Sequence, residues 1–160
     1  MMFGLSACRF ETRSTAHLSD AARTSKLNAL HYDYLTNSSE GAKLDMLRAL
    51  DLLNSSTNAL QAHDGCWFAY GRLFLIESLA GNSNVASIYY EKARYWYLTH
   101  LEDMAQSPSA IASNLEIFSK ERCKALMLEW DRGVTGGRGP QFYLDSIAQQ
   151  GRGGDDQGKP

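Results

Sequence analysis

The chain has 160 residues, 44% of them hydrophobic and 21% charged, with 16 basic and 18 acidic side chains that leave a formal charge of −2. That is the size of one ordinary domain, able to bury about 70% of its unfolded surface and so to fold without metals or disulfides. The balance excludes wholesale disorder, a collagen repeat, a disulfide scaffold and a global field for nucleic acid or acidic membrane.

Residues 1–14 read as an N-terminal arm. There, Leu5-Ser6-Ala7-Cys8 has the form of a lipoprotein cleavage site, but it lacks the preceding basic residue and the apolar run of a signal. Cys8, Cys66 and Cys123 are scattered and odd in number, which fits reduced thiols of a cytoplasmic protein better than a disulfide framework. Nothing approaches the roughly 20 apolar residues of a membrane span.

Residues 15–149 read as one α-helical domain. The prolines are Pro108, Pro140 and Pro160, so about a hundred residues run without the strongest helix breaker. A first helix is predicted over about 15–35, with Leu18, Ala22, Leu27, Leu30 and Tyr34 at three- and four-residue spacings. After a Thr36-Asn37-Ser38-Ser39 loop, Ser39 is the expected N-cap of a second helix over about 40–62, which Asn54 to Asn58 could interrupt. Asp64-Gly65 is expected to end it.

A third helix, Trp67 to Ala80, is apolar around most of its circumference and so belongs at the centre of the packing. Gly81-Asn82-Ser83-Asn84 then makes a tight turn, with Ser83 or Asn84 expected as the next cap. The fourth helix, Val85 to Met104, carries the stripe Ala86, Tyr90, Ala93, Tyr97, Leu101 and Met104. Ser107-Pro108 starts a fifth, expected to reach about Trp130, and Gly133, Gly136 and Gly137 stop it. Phe142, Tyr143, Leu144 and Ile147 suit one more helix of two or three turns. Residues 150–160, glycine-rich and polar, are expected to be a disordered tail. The predicted fold is all-α, an irregular bundle of about five or six helices.

From Tyr70 to Ala93 the helix-turn-helix resembles a tetratricopeptide repeat. Tyr70 stands at the leading aromatic, Leu73 at the leucine, Gly81 at the turn glycine, and Ala86, Tyr90 and Ala93 at the small, aromatic, small triplet. Steps of 34 residues in either direction find no second copy. The resemblance implies tetratricopeptide-like helical hairpins and, by analogy with small chaperones and adaptors of that type, a protein partner.

Nine of the seventeen aromatics fall between Trp67 and Tyr97. In Tyr95-Trp96-Tyr97 successive side chains point about 100° apart, so one seam cannot take all three. Tyr89, Tyr95 and Trp96, with Arg72, Lys92 and Arg94, are therefore candidates for a partner-binding face of the aromatic and arginine kind. Lys120, Arg122, Lys124, Arg132 and Arg138 form the basic concentration of the chain and the alternative, a nucleic-acid surface helped by the Arg/Gly tail. His31 with Asp33, and His63, Asp64 and Cys66, lack diagnostic metal spacing, and His100 with Glu102 and Asp103 suits a solvated helix face. With no HExxH, nucleophile elbow, Walker loop or GxGxxG, the expected function is a non-enzymatic interaction module without cofactor or metal.

Overall fold

A computed structural model of the chain describes residues 18–152. The predicted arm, with Cys8, and most of the predicted tail lie outside them. Seven helices and no strand occur among the described residues: α1 (Asp20–Thr36), α2 (Ser39–Asn54), α3 (Ala59–Leu79), α4 (Ser83–Asp103), α5 (Pro108–Ile117), α6 (Lys120–Val134) and α7 (Gln141–Arg152). None is long and apolar enough to cross a membrane.

Local chemistry places most of the ends. The Ser19, Asn58, Ser107 and Ser119 side chains each accept the backbone N–H three residues on, at 3.1 to 3.3 Å, and so cap α1, α3, α5 and α6. Between α3 and α4, Gly81 takes φ +79°. Its N–H donates to the Ser78 carbonyl and that of Asn82 to the Glu77 carbonyl, the two hydrogen bonds that close a helix on a residue in the left-handed conformation. Asn82, rather than Ser83 or Asn84, occupies the cap of α4, and its amide donates to Glu77 Oε2 at 2.6 Å.

Several boundaries differ from the sequence expectation: α1 starts at Asp20 rather than about 15, and Ser38 rather than Ser39 stands at the N-cap of α2. Asp64-Gly65 ends nothing: α3 runs straight through it, and the break falls at 55–58. Gly65 serves close packing, since a Cβ there would stand 2.4 Å from Leu53 Cδ2 on α2. The predicted fifth helix is two, because the Ser119 cap starts a new helix and Phe118 turns into the core. Helix α7 continues to Arg152, three residues into the predicted tail.

Helix α3 is central, packing against α2, α4, α6 and α7. It is buried at Cys66, Trp67, Ala69 and every position from Gly71 to Glu77. On α4 the face toward it is Ala86, Tyr90, Ala93 and Leu101, with Tyr97 half-buried; Met104, expected on the same stripe, is exposed because the helix ends beside it. Small Ala86 and Ala93 let the two backbones approach, and Tyr90 fills the space beside Phe74 at a ring distance of 5.4 Å. Ala93→Leu or Ala86→Leu should destabilise the protein by about 1 to 3 kcal/mol through overpacking. Unchanged denaturant midpoints would place both on an open surface.

A second tie holds α2 to the α3–α4 turn. Glu77 is buried and takes both the Lys43 ammonium and the Asn82 amide. Burial pushes its carboxyl up, but these two donors outweigh it and hold it below the ordinary glutamate value.

Candidate functional site

At about 100° per residue, Val85, Ile88, Tyr89, Lys92, Tyr95 and Trp96 fall within an arc of about 120° on α4, turned away from the core stripe. Val85, Ile88 and Tyr95 are 40%, 57% and 62% exposed, unusual for side chains of that size in a row on one helix. Lys92 lies between them, exposed, and Tyr89 and Trp96 form the half-buried edge toward α3.

Helix α3 extends this surface with Leu60, His63 and Tyr70, three and seven residues apart on one side. Tyr70 lies 6.2 Å from the Tyr89 ring and under the Lys92 ammonium at 5.3 Å. The His63 ring lies 5.2 Å from Trp96, and Tyr95 meets Trp96 edge-on at 5.3 Å. Reciprocal polar pairs brace this end of the two helices, His63 Nδ1 to Asp103 Oδ2 at 2.5 Å and His100 Nδ1 to Asp64 Oδ1 at 3.5 Å. His100 and Asp103, read from the sequence as part of a solvated face, thus meet Asp64 and His63 of α3. The outcome is a shallow, largely aromatic strip running along an antiparallel helix pair.

Of the predicted partner-binding residues, the structure brings Tyr89, Lys92, Tyr95 and Trp96 to this strip. Arg94 is turned about 160° from the centre of the arc. Arg72 does not belong to the strip at all. It is buried, donating from Nε and Nη2 to Asp131 Oδ1 at 3.1 and 2.9 Å, with its guanidinium 5.3 Å from the Tyr34 ring centre and 5.5 Å from that of Phe68. A guanidinium within the stretch of α3 that is buried at every position, Gly71 to Glu77, needs an interior carboxylate, and α6 supplies it. Val85 and Ile88 carry a sequence signal of their own, as large apolar residues on the polar side of the α4 wheel. Leu60, which the pattern over 40–62 aligns with Met46, Ala49, Leu50 and Leu53 on one apolar stripe, belongs instead to α3 and is 51% exposed.

The basic residues form no single patch. Lys120 and Lys124 sit over the Tyr90 and Phe74 rings at the start of α6, and Lys120 also donates to Ser87 Oγ at 2.9 Å. Arg122, two residues from each, points to the other side of the helix. Arg132 lies over Tyr143 and Arg138 bonds the Thr135 carbonyl, at the far end of α6 about 18 Å away.

Buried titratable groups elsewhere are tied down. Asp131, fully buried, accepts from Tyr34 Oη at 2.7 Å and from Arg72, with His31 Nε2 at 3.5 Å. Burial pushes its carboxyl up, yet His31, Arg72 and Tyr34 together outweigh that and hold it below the ordinary aspartate value. Burial, helped by the Asp131 charge, raises the Tyr34 phenol well above its usual value. The Cys66 and Cys123 thiols are pushed up to about 11 and about 12 by burial, which keeps them as unreactive thiols at neutral pH. Among the described residues no group of three or more His, Cys, Asp or Glu side chains is placed to hold a metal ion. Comparison of the chain with protein-family models, with curated proteins and with solved structures finds no match.

Proposed function

We propose that the protein is a cytoplasmic, non-enzymatic interaction module, an adaptor or a chaperone, which holds a helical segment of another protein along the α3–α4 strip. The observation that carries this reading is the row Val85, Ile88 and Tyr95, exposed on a helix whose other face is core. Such a row costs solubility and contributes little to folding, whereas two antiparallel helices form a shallow groove suited to an amphipathic partner helix with apolar residues three, four and seven apart. Tyr and Trp suit the role, having large contact area and few rotors to freeze. The tetratricopeptide resemblance of the same helix pair agrees with it by analogy.

The test compares folding with binding in the same variants. Ile88→Ala and Tyr95→Ala should leave stability within about 0.5 kcal/mol, as ordinary surface changes do. Binding of the partner recovered by copurification from the source cell, after nuclease treatment, should weaken by about 2 kcal/mol, roughly thirtyfold. A nuclease-sensitive, salt-sensitive signal that both variants retain would move the function to the basic residues of α6.

A further inference from the structure

A second concave feature lies on the other side of α3, away from the strip. A cavity of about 390 Å³ opens among α1, α2, α3 and α6, within the range of about 300 to 1,000 Å³ usual for small-molecule sites. Its walls are apolar, with Leu27 from α1, Met46 and Leu53 from α2, Phe68 from α3 and Trp130 from α6. Phe68 and Trp130 meet edge-on at 4.9 Å, and Trp130 is 56% exposed although a tryptophan this close to a core is normally covered.

The polar groups are not evenly spread. Along α3 the lining runs from Asp64 and Gly65 to Arg72, about 12 Å apart along the helix axis. Toward the Arg72 end two lining polar side chains, Arg72 and His31, face the same buried carboxylate, Asp131, and exposed Asn28 lines the wall three residues before His31 on α1. Arg72 uses Nε and Nη2 on Asp131, so Nη1 remains free of protein partners among the described residues. His31 points its buried Nε2 at Asp131, so Nδ1 is the ring nitrogen left for a ligand, and it donates to a carboxylate in the imidazolium form, with protons on both nitrogens. Asp131 does not line the cavity, so that end offers nitrogen and no carboxylate oxygen. At the other end Asp64 is already engaged, accepting from Trp67 Nε1 at 3.1 Å and facing His100.

We infer that this cavity is a binding site for a small organic acid with a flat apolar body, its carboxylate held by Arg72 and His31 and its ring between Phe68, Trp130 and the Met46 and Leu53 side chains. A guanidinium fixed by a buried partner pays little entropy when it takes an anion, and the apolar walls supply the remaining affinity.

The probes are 2-naphthoate and its neutral isostere 2-naphthamide, titrated calorimetrically into the full chain. Naphthoate should bind one site at least about tenfold more tightly than the amide. Ala49→Met, from a lining position on α2, should weaken naphthoate by about tenfold by filling the space, and Leu27→Phe, from α1, should do the same. His31→Phe should weaken naphthoate by about fivefold and leave the amide unchanged. Circular dichroism melts confirm that each variant is folded, and two fillers on different helices guard against the loss of either one. Equal affinity for acid and amide would overturn the assignment of an acid. Absence of saturable binding, or binding that survives both fillers, would overturn the site itself. Strip variants such as Tyr95→Ala should leave naphthoate binding unchanged.

Discussion

Replacing Asp131 by asparagine is expected to cost about 3 to 5 kcal/mol of folding stability, a large fraction of what a domain of this size has. The carboxylate is fully buried and carries three partners from two other helices: Tyr34 and His31 from α1 and Arg72 from α3. Asparagine keeps the shape and still accepts hydrogen bonds, but it leaves a guanidinium that is more than nine-tenths buried without a counter-charge. The loss therefore reports the stranded Arg72 charge. Removing that charge as well, in Arg72→Met with Asp131→Leu, should recover much of the stability, because an apolar pair of similar volume avoids the desolvation of both ions. Urea denaturation of the single and double variants is the measurement. A cost below about 1 kcal/mol for Asp131→Asn would mean that the ion pair is solvated and the interior less closed than described.

Two buried acids, Asp131 and Glu77, set the acid limb of stability. Asp131 and Glu77 are each held below their ordinary values in the folded protein, so the folded state binds fewer protons than the unfolded chain. Their contribution is fully present above the unfolded carboxylate range, about 4 to 4.5, and is lost as pH falls through the lower folded values. Stability should accordingly fall steeply below about pH 4, and Asp131→Asn should flatten that slope. An unaltered slope would assign the acid sensitivity to other carboxylates.

What the sequence revealed and what it hid divide along a physical line. Helical periodicity is local, so the all-α class, the central apolar α3 and the Ala86, Tyr90, Ala93 stripe could be read directly. Capping is also local, and Ser107-Pro108 was read correctly as a start. Ser119 was not, because the apolar spacing of Cys123 and Met127 continues the pattern from α5 and masks a cap in its midst. Gly65 was read as a terminator because glycine weakens a helix, and what it meets, Leu53, belongs to another helix. Arg72 shows the limit most clearly: its partner is 59 residues away, and no spacing rule links them. On α4 the wheel alone groups Tyr89, Lys92, Tyr95 and Trp96, and Val85 and Ile88 fall on the same arc.

Phe118→Ala should cost about 3 to 5 kcal/mol, as large as any aromatic truncation in the chain, although the residue sits in a two-residue link between helices. Phe118 is 2% exposed and closes an aromatic box: it stacks on Tyr97 at 4.4 Å and on Tyr90 at 6.2 Å and meets Trp67 edge-on at 6.1 Å. The Tyr90 hydroxyl also donates to the Phe118 carbonyl at 2.6 Å, which fixes the backbone at the break and satisfies a carbonyl that no helix takes. Three comparisons separate these contributions. Ser119→Ala removes the cap of α6 and should cost about 1 kcal/mol. Tyr90→Phe removes the hydroxyl and leaves the carbonyl unpaired, for about 1 to 3 kcal/mol. Phe118→Ala should exceed both because it opens a cavity that three rings from α3 and α4 cannot close without leaving their own contacts. Denaturant midpoints of the three variants in parallel decide it. If Phe118→Ala costs no more than Ser119→Ala, the break is held by its cap alone, and the link between α5 and α6 does not anchor the helix pair that carries the proposed partner face.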